Sequence, residues 1–410
     1  MFYYIRMERP SLQDIKDAAQ RIAPIMKRTN LMKSNFLSKE SENEIYLKPE
    51  NLQITGSYKV RGAYNKLQIL TEEERTRGII ASSAGNHAQG VAYAAKQANI
   101  QSTIVMPKTT PLIKINSTKS YGSNIILHGD CYDEAYEKAT KLAKEKNLTF
   151  IHPFNDKEVI AGQGTIALEI LEDLPSVDMI VVPIGGGGLI SGIAIASKSL
   201  NPKIKIIGVE PKGADAMKRS LEAGKIVELK TTNTLADGVA VKKPGELGFE
   251  IAKDLVDKII TVTEEEIMEA FLTVMEKHKM VCEPAGALAI AAVLNKELKG
   301  KNNKIVAIVS GGNIDVITIS TMVSKGLIKM GRIFEFYVDL VDKPGEFLRV
   351  AEVLADLNAN IVKIQHNQFN AIEWHNHVRL TITLETEGHD HIKRIANALE
   401  SHGYKVNHKE

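Results

Sequence analysis

What most constrains this chain is a unit that occurs three times: a short unbroken run of apolar residues, a glycine-bearing polar turn, and then a helical pattern. Gly78 to Ser82 leads into Ser83-Ala84-Gly85-Asn86-His87, Met179 to Pro183 into Gly185-Gly186-Gly187-Gly188, and Lys304 to Ser310 into Gly311-Gly312-Asn313. Strands that are apolar on both sides need cover on both faces, and the helices between them supply it, so the pattern predicts a parallel sheet inside an α/β body. Ligands of such sheets bind at the carboxyl ends of the strands, where helix N-termini offer unpaired N–H groups to anions. The three turns are therefore candidates for one shared pocket.

Further apolar runs at Glu44 to Lys48, Ser102 to Met106, Asn124 to His128 and Ile204 to Glu210 read as strands, and Ser11 to Ala23, Ala88 to Gln97 and Asp130 to Lys146 as helices. Ser11 is placed to cap the first helix, with Ile15, Ala18, Ala19 and Ile22 on one face. After Ser324 the texture changes. Ile333 to Leu340 alternates as a half-buried strand, and Asp342-Lys343-Pro344-Gly345 turns into a helix through Leu357. Strands over Asn360 to Gln368 and His377 to Thr386, a helix from His389 to Ser401 and a last strand, Tyr404 to Asn407, follow. The order βαββαβ is that of a ferredoxin-like unit. The chain is thus expected to divide into residues 1–324 and 325–410.

The chemistry centres on Gly56-Ser57-Tyr58-Lys59-Val60-Arg61-Gly62. Ser57 opens a helical pattern, which puts Lys59 in a first turn, where position is well fixed. A lone lysine there is ordinarily a solvated surface charge, and what singles this one out is the company of the glycine turns. A bare glycine run is as often a flexible loop as an anion site. This one directly follows Val181-Val182-Pro183 and opens a helix, and four residues without side chains let a ligand reach the backbone.

Taken jointly, Ser57-Tyr58-Lys59-Val60-Arg61-Gly62, Ser83-Ala84-Gly85-Asn86-His87-Ala88-Gln89-Gly90, the tetraglycine and Ser310-Gly311-Gly312-Asn313 resemble the fold-type-II (tryptophan synthase β-like) family of pyridoxal-phosphate enzymes, and within it the threonine dehydratases, or threonine ammonia-lyases. The resemblance covers the chain up to Lys325 and implies a two-lobed body with its smaller lobe near residues 80–153. It implies that Lys59 forms an imine with the aldehyde of pyridoxal 5'-phosphate and then serves as base at the substrate Cα. Gly185, Gly186, Gly187, Gly188 and Leu189 would cradle the cofactor phosphate. Asn86 would meet the ring hydroxyl, with a helix N-cap as its competing role. The N–H groups of Ser83, Ala84, Gly85, Asn86 and His87 would receive the substrate carboxylate, and Ser310 would meet the pyridine nitrogen. A hydroxyl there leaves that nitrogen largely unprotonated, which suits rapid expulsion of a β-leaving group. The implied reaction is α,β-elimination from L-threonine to 2-oxobutanoate and ammonia, with L-serine giving pyruvate.

Departures from the family pattern sharpen the expectation. Ala84 stands where serine racemases carry a serine on the second face of the cofactor, which disfavours racemisation. Relatives that bind a divalent metal do so through a Glu, matched by Glu210, and an Asp, where this chain has Ala216, so no metal is expected; Asp215 could substitute only if the backbone shifted. Glu283, ahead of Pro284, either approaches the cofactor ring or is a helix-start carboxylate. The Asp342-Lys343-Pro344-Gly345 turn resembles ACT domains, which bind small amino acids as regulators, with Phe347 in place of the usual leucine. That likeness implies an amino-acid effector at Gly345 and pairing of copies into a homodimer or homotetramer.

A formal net charge of +2, with acidic and basic residues interspersed, provides no field for nucleic acid or an acidic membrane. Two cysteines, Cys131 and Cys282, are too few for a disulfide scaffold and read as reduced, buried thiols. The apolar start, cut off by Arg6, is shorter than a signal peptide's core, and no run is long enough to span a bilayer, so a cytoplasmic protein is expected. Seven of the eleven histidines follow residue 360, His375, His377, His389 and His391 among them, and read as a solvated polar face rather than a metal site. Beside the dehydratase, two readings stay open: a serine dehydratase or racemase, and a catalytically silent amino-acid sensor.

Overall fold

The computed structural model describes residues 8–367 and 377–408; Gln368 and His375 lie outside them. The chain divides into two compact units, Met1–Asp315 and Val316–Glu410.

The first unit holds two sheets. The larger contains β1 (Met32–Lys33), β2 (Glu44–Pro49), β7 (Met179–Pro183), β8 (Lys205–Pro211), β9 (Lys258–Val262) and β10 (Lys304–Val309), in the order β1-β2-β10-β7-β8-β9. The smaller has β3 (Ile79–Ser82), β4 (Ser102–Met106), β5 (Asn124–Leu127) and β6 (Thr149–Phe150), in the order β5-β4-β3-β6. Every pairing is parallel except that of β1 with β2. Apolar residues on both faces explain this: Ile180, Val182, Ile206, Val306 and Ile308 are buried on one face, and Val181, Val209, Ile305, Ala307 and Val309 on the other. The edge strand β9 escaped the sequence reading because only Ile260 and Val262 of it are buried, and β1 and β6 are two residues each. Ser11 caps the helix Leu12–Ile22 through a capping box with Asp14.

Strands β2, β10 and β7 are parallel neighbours, so the chain leaves Pro49, Val309 and Pro183 side by side. Those three ends lead to the Lys59 segment, the Ser310 turn and the tetraglycine. In the smaller sheet β3 is flanked by β4 and β6, and it ends at the Asn86 turn. Cys282 is buried but Cys131 is exposed, since it sits at the surface start of the helix Tyr132–Glu145. Among the described residues no helix is long and apolar enough to cross a membrane.

The second unit opens with the helix Val316–Lys329, so the division falls before that helix rather than at Ser324. Its end is bonded into this unit: the His389 ring meets the Lys329 carbonyl at 3.0 Å. Strands β11 (Ile333–Val341), β12 (Asn360–Asn367), β13 (His377–Glu385) and β14 (Asn407–His408) form the sheet β12-β13-β11-β14. Its pairings are antiparallel, and with the helices Glu346–Asp356 and His389–Ser401 it makes a βαββαβ unit over a core that includes Phe336, Val338, Leu380 and Ile382. The last strand is not Tyr404 to Asn407. Gly403 turns left-handed (φ 86°) and the Tyr404 N–H donates to the Leu399 carbonyl, closing the preceding helix, so pairing begins only at Asn407.

Candidate active site

Thr55 and Gly56 both adopt left-handed φ (67° and 71°) in a single turn, Ile54–Gly56, which throws the chain against the Ser310 turn. Ser57 pairs with Gly311, the Tyr58 N–H donates to the Ser310 carbonyl at 3.2 Å, and the Gly312 N–H donates to the Gly56 carbonyl at 2.9 Å. Lys59 is the first residue of the helix Lys59–Gln68. Its amine is 3.4 Å from the Pro153 carbonyl and 5.2 Å from the centre of the Tyr58 ring.

Pro153 leads directly to Phe154, and Phe154 closes the tetraglycine from one side. A β-carbon at Gly186 would lie 2.3 Å from the Phe154 ring, and one at Gly188 would lie 3.0 Å from Phe154 Cα. Gly187, at φ 97°, is the N-cap of the helix Gly188–Leu200. The N–H groups of Gly188, Leu189 and Ile190 are the first three of that helix and have no acceptor among the described residues. The Leu189 side chain is buried in the core, so it is the backbone of this residue that faces the cradle.

Asn86 is the first residue of the helix Asn86–Ala98, and Gly85 is the N-cap; the capping role therefore falls away. Its Nδ2 donates to Glu283 Oε1 at 2.5 Å, and its Oδ1 accepts from Asn313 Nδ2 at 2.7 Å. Glu283 precedes the helix Pro284–Leu294 but makes no capping bond with its side chain, which turns to Asn86 instead. Burial, with the Asp237 charge adding to it, pushes the Glu283 carboxyl up to about 8. Ser310 is buried, and its hydroxyl has one long contact, 3.3 Å to the Ala285 carbonyl, which leaves it able to serve another partner.

The expected carboxylate cradle is narrower than the motif suggests. The Ser83 N–H donates to the Val105 carbonyl at 3.2 Å, extending the ladder of β3 with β4, and the Gly85 N–H donates to Ser83 Oγ at 3.2 Å. The N–H groups of Ala84, Asn86 and His87 have no acceptor among the described residues. The His87 ring is bonded to the Ile151 carbonyl at 2.9 Å, so Nε2 carries the proton; burial and the Lys59 charge push its pKa down to about 3. Sequence reasoning missed His152, whose Nδ1 accepts the N–H groups of Phe154 (3.2 Å) and Asn155 (2.8 Å). Burial first, and Lys59 further, hold it down near about 4 against the pull of Asp156. It also missed Pro153 and Phe154, which no local pattern marks. Both imidazoles near Lys59 are thus neutral at physiological pH.

Glu210 is committed elsewhere: its two oxygens accept the N–H groups of Met217 (3.0 Å) and Lys218 (2.9 Å), and Asp215 pairs with Arg219 at 2.7 Å. Among the described residues no cluster of three or more His, Cys, Asp or Glu is arranged around a metal position.

One amine, a glycine cradle that any β-carbon would fill, an amide, a buried hydroxyl and a set of backbone donors thus converge. That donor set fits pyridoxal phosphate: unpaired backbone N–H groups are of the kind that holds a phosphate, and an amide and a buried hydroxyl are at hand for the polar atoms of a ring. The family model of pyridoxal-phosphate dependent enzymes matches residues 22–311. An L-threonine ammonia-lyase of Thermotoga maritima is 48% identical over 97% of this chain and 98% of its own length. Among solved structures, maize serine racemase superposes with a TM-score of 0.74 at 39% identity, over 78% of this chain and 99% of that one. The processed form of threonine deaminase isoform 2 from Solanum lycopersicum does so with a TM-score of 0.74 at 39% identity, over 77% and 90%. The chain therefore belongs to the pyridoxal-phosphate dependent enzymes of fold type II, in the branch of the threonine ammonia-lyases.

Proposed function

We propose that this protein removes water from L-threonine and releases 2-oxobutanoate and ammonia, with L-serine giving pyruvate as a second substrate. The observation that carries this reading is the setting of Lys59: an amine at a helix start, against the Pro153 carbonyl, ringed by neutral imidazoles and by turns that offer backbone N–H groups. Pyridoxal phosphate, when bound, withdraws electron density from the substrate Cα and makes its proton removable. Lys59 would hold the cofactor aldehyde at rest, and with its amine free of that bond Nζ would be the group that takes the Cα proton. The N–H groups of Ala84, Asn86 and His87 hold the substrate carboxylate, which fixes which Cα substituent faces Lys59. Ser310 offers a neutral hydroxyl to the ring nitrogen, and Asn86 an amide to the ring oxygen. Neutral His87 and His152 leave Lys59 as the basic group at this spot. The β-hydroxyl leaves as water, with a proton in place of the one removed from Cα, and the released enamine then takes up one water to give the keto acid and ammonia.

Purified protein loaded with the cofactor is expected to be yellow and to release keto acid from threonine. Borohydride reduction and peptide mapping should label Lys59, and Lys59→Ala should lose both the visible band and the activity. A colourless wild type, or a label on another lysine, refutes the reading and favours a sensor. Chiral analysis of recovered serine tests the racemase alternative, which Ala84 disfavours.

The second unit serves, in this reading, as the regulatory part. It has a cavity of about 330 Å³ lined by Leu340, Asp342, Gly345, Phe347, His366 and Val378 among others. Gly345 caps the following helix at φ 93°, with open space where a β-carbon would stand. A small amino acid such as isoleucine or valine fits that volume, and two copies of the unit pair through it into a homodimer or homotetramer. Keto-acid release by the full chain should respond to these amino acids, and Gly345→Ala, strained at this φ, should blunt the response. Rates and assembly indifferent to both effectors refute it.

A further inference from the structure

We propose that Asn313 is a positioning residue that fixes the polarity of the Asn86 amide, so that Asn86 presents an N–H, and not an oxygen, to the cofactor. The inference rests on the reading above in which Asn86 meets the ring oxygen.

The relay starts at a group with no freedom. The Thr55 carbonyl can only accept, and it lies 2.7 Å from Asn313 Nδ2, so the end of the Asn313 amide facing it is the NH2. The same nitrogen lies 2.7 Å from Asn86 Oδ1 and spends its second hydrogen there. That settles Asn86: its oxygen faces Asn313 and its NH2 faces Glu283 Oε1 at 2.5 Å, with one N–H left over. The orientation thus follows from donor and acceptor chemistry along the chain, starting at a backbone carbonyl in the turn that leads into Lys59. Two glycines keep the path open. A β-carbon at Gly56 would lie 2.4 Å from Asn313 Oδ1, and one at Gly311 would lie 2.3 Å from Glu283 Oε1 and 3.1 Å from Asn86 Nδ2. An N–H aimed at the ring oxygen favours its deprotonated form, whereas an amide oxygen there would hold a proton on it.

Asn313→Asp places acceptors against Asn86 Oδ1 and turns the Asn86 amide over; Asn313→Ala removes the restraint without imposing the opposite one. The readout is the absorption of the pyridoxal-phosphate-loaded full chain, as the ratio of the visible band to the near-ultraviolet band that marks a protonated ring oxygen. Cofactor affinity, from titration of the stripped protein, is the second readout. Asn313→Asp is expected to lower the band ratio about tenfold, the worth of one hydrogen bond, and Asn313→Ala to lower it less. Glu283→Gln keeps an acceptor facing Asn86 and should hold the wild-type ratio. Wild-type ratio and affinity in both Asn313 variants overturn the relay, as does a collapse of the ratio in Glu283→Gln alone. If Asn313→Asp does not fold, Asn313→Ala decides. A wild type without any visible band would instead defeat the underlying reading, so the two failures are distinguishable.

Discussion

Arg61, two residues beyond Lys59 in the same helix, is a fully buried side chain whose loss should be costly in a calculable way. All five of its N–H groups are engaged: Nε and Nη2 with Glu50 (both 2.8 Å), Nη1 and Nη2 with Glu169 (2.6 and 3.1 Å), and Nη1 with Thr165 (3.2 Å). Lys48, also fully buried, bonds Glu169 and the Thr29 carbonyl, so two cations balance two carboxylates. Arg61→Met leaves Glu50 buried with only Thr29 Oγ1, at 2.5 Å, as a partner. Removing one member of such a set costs about 3–5 kcal/mol, because an uncompensated charge stays behind. At about 2 °C per kcal/mol for a unit of this size, thermal unfolding followed by circular dichroism should show a fall of about 6–10 °C.

Acid should narrow that difference. Burial opposes ionisation of Glu169, but Arg61 and Lys48 outweigh it and hold its pKa below the ordinary 4.5. A lowered carboxylate pKa contributes stability that is present above 4.5 and lost as pH falls through the folded value. Arg61→Met lacks most of that contribution, so the gap to wild type should shrink below pH 4.5. Arg61→Met with Glu50→Met removes one cation and one carboxylate and leaves the Lys48–Glu169 pair, so it should recover about 2 kcal/mol or more of the loss. A single variant within about 1 kcal/mol of wild type, or a double variant worse than the single, refutes the reasoning.

Gly186→Ala drives a β-carbon to 2.3 Å from the Phe154 ring; titration of stripped protein with pyridoxal phosphate should show cofactor affinity lower by tenfold or more, and stability lower by about 1–3 kcal/mol. Glu210, pushed up to about 8 chiefly by burial, gives the opposite pH sign to Glu169. A raised folded pKa contributes stability that is present below 4.5 and lost as pH rises through about 8, so Glu210→Gln should gain on wild type in urea midpoints across that window.

The strand-turn-helix skeleton was readable because it depends on local signals: apolar runs such as Met179–Pro183, a glycine turn after them, and a capping Ser11 whose predicted bond to the helix start is present. The same signals place Lys59 and the four glycines at helix starts. Where a signal was shared by two structures, the reading slipped. Tyr404 and Val406 alternate as a strand would, yet Val406 packs on the core from an unpaired segment whose first N–H closes a helix. The Ser83 turn has the composition of an open anion cradle, but whether an N–H is free depends on how far the pairing of neighbouring strands continues, and here the bonding of β3 to β4 runs one residue past Ser82, taking up the Ser83 N–H.

What could not be read at all is the polar pairing among turns far apart in sequence. Glu283, Asn86, Asn313 and Thr55 meet because β10 lies beside β2 and because the helix after Pro284 starts where the Gly311 carbonyl accepts the Glu283 N–H at 3.0 Å. Each of these residues has an ordinary local explanation: a helix-start carboxylate, an N-cap, a turn asparagine, a loop threonine. Composition and periodicity fix which face of an element is buried, but they carry no information on the lateral offset between elements, and a hydrogen bond of 2.5–2.7 Å exists or not within an ångström of that offset. The place of Lys59 at a helix start is therefore legible from motifs, while the polarity of the groups around it is a property of the assembled sheet, and Asn313 is where the two can be separated by experiment.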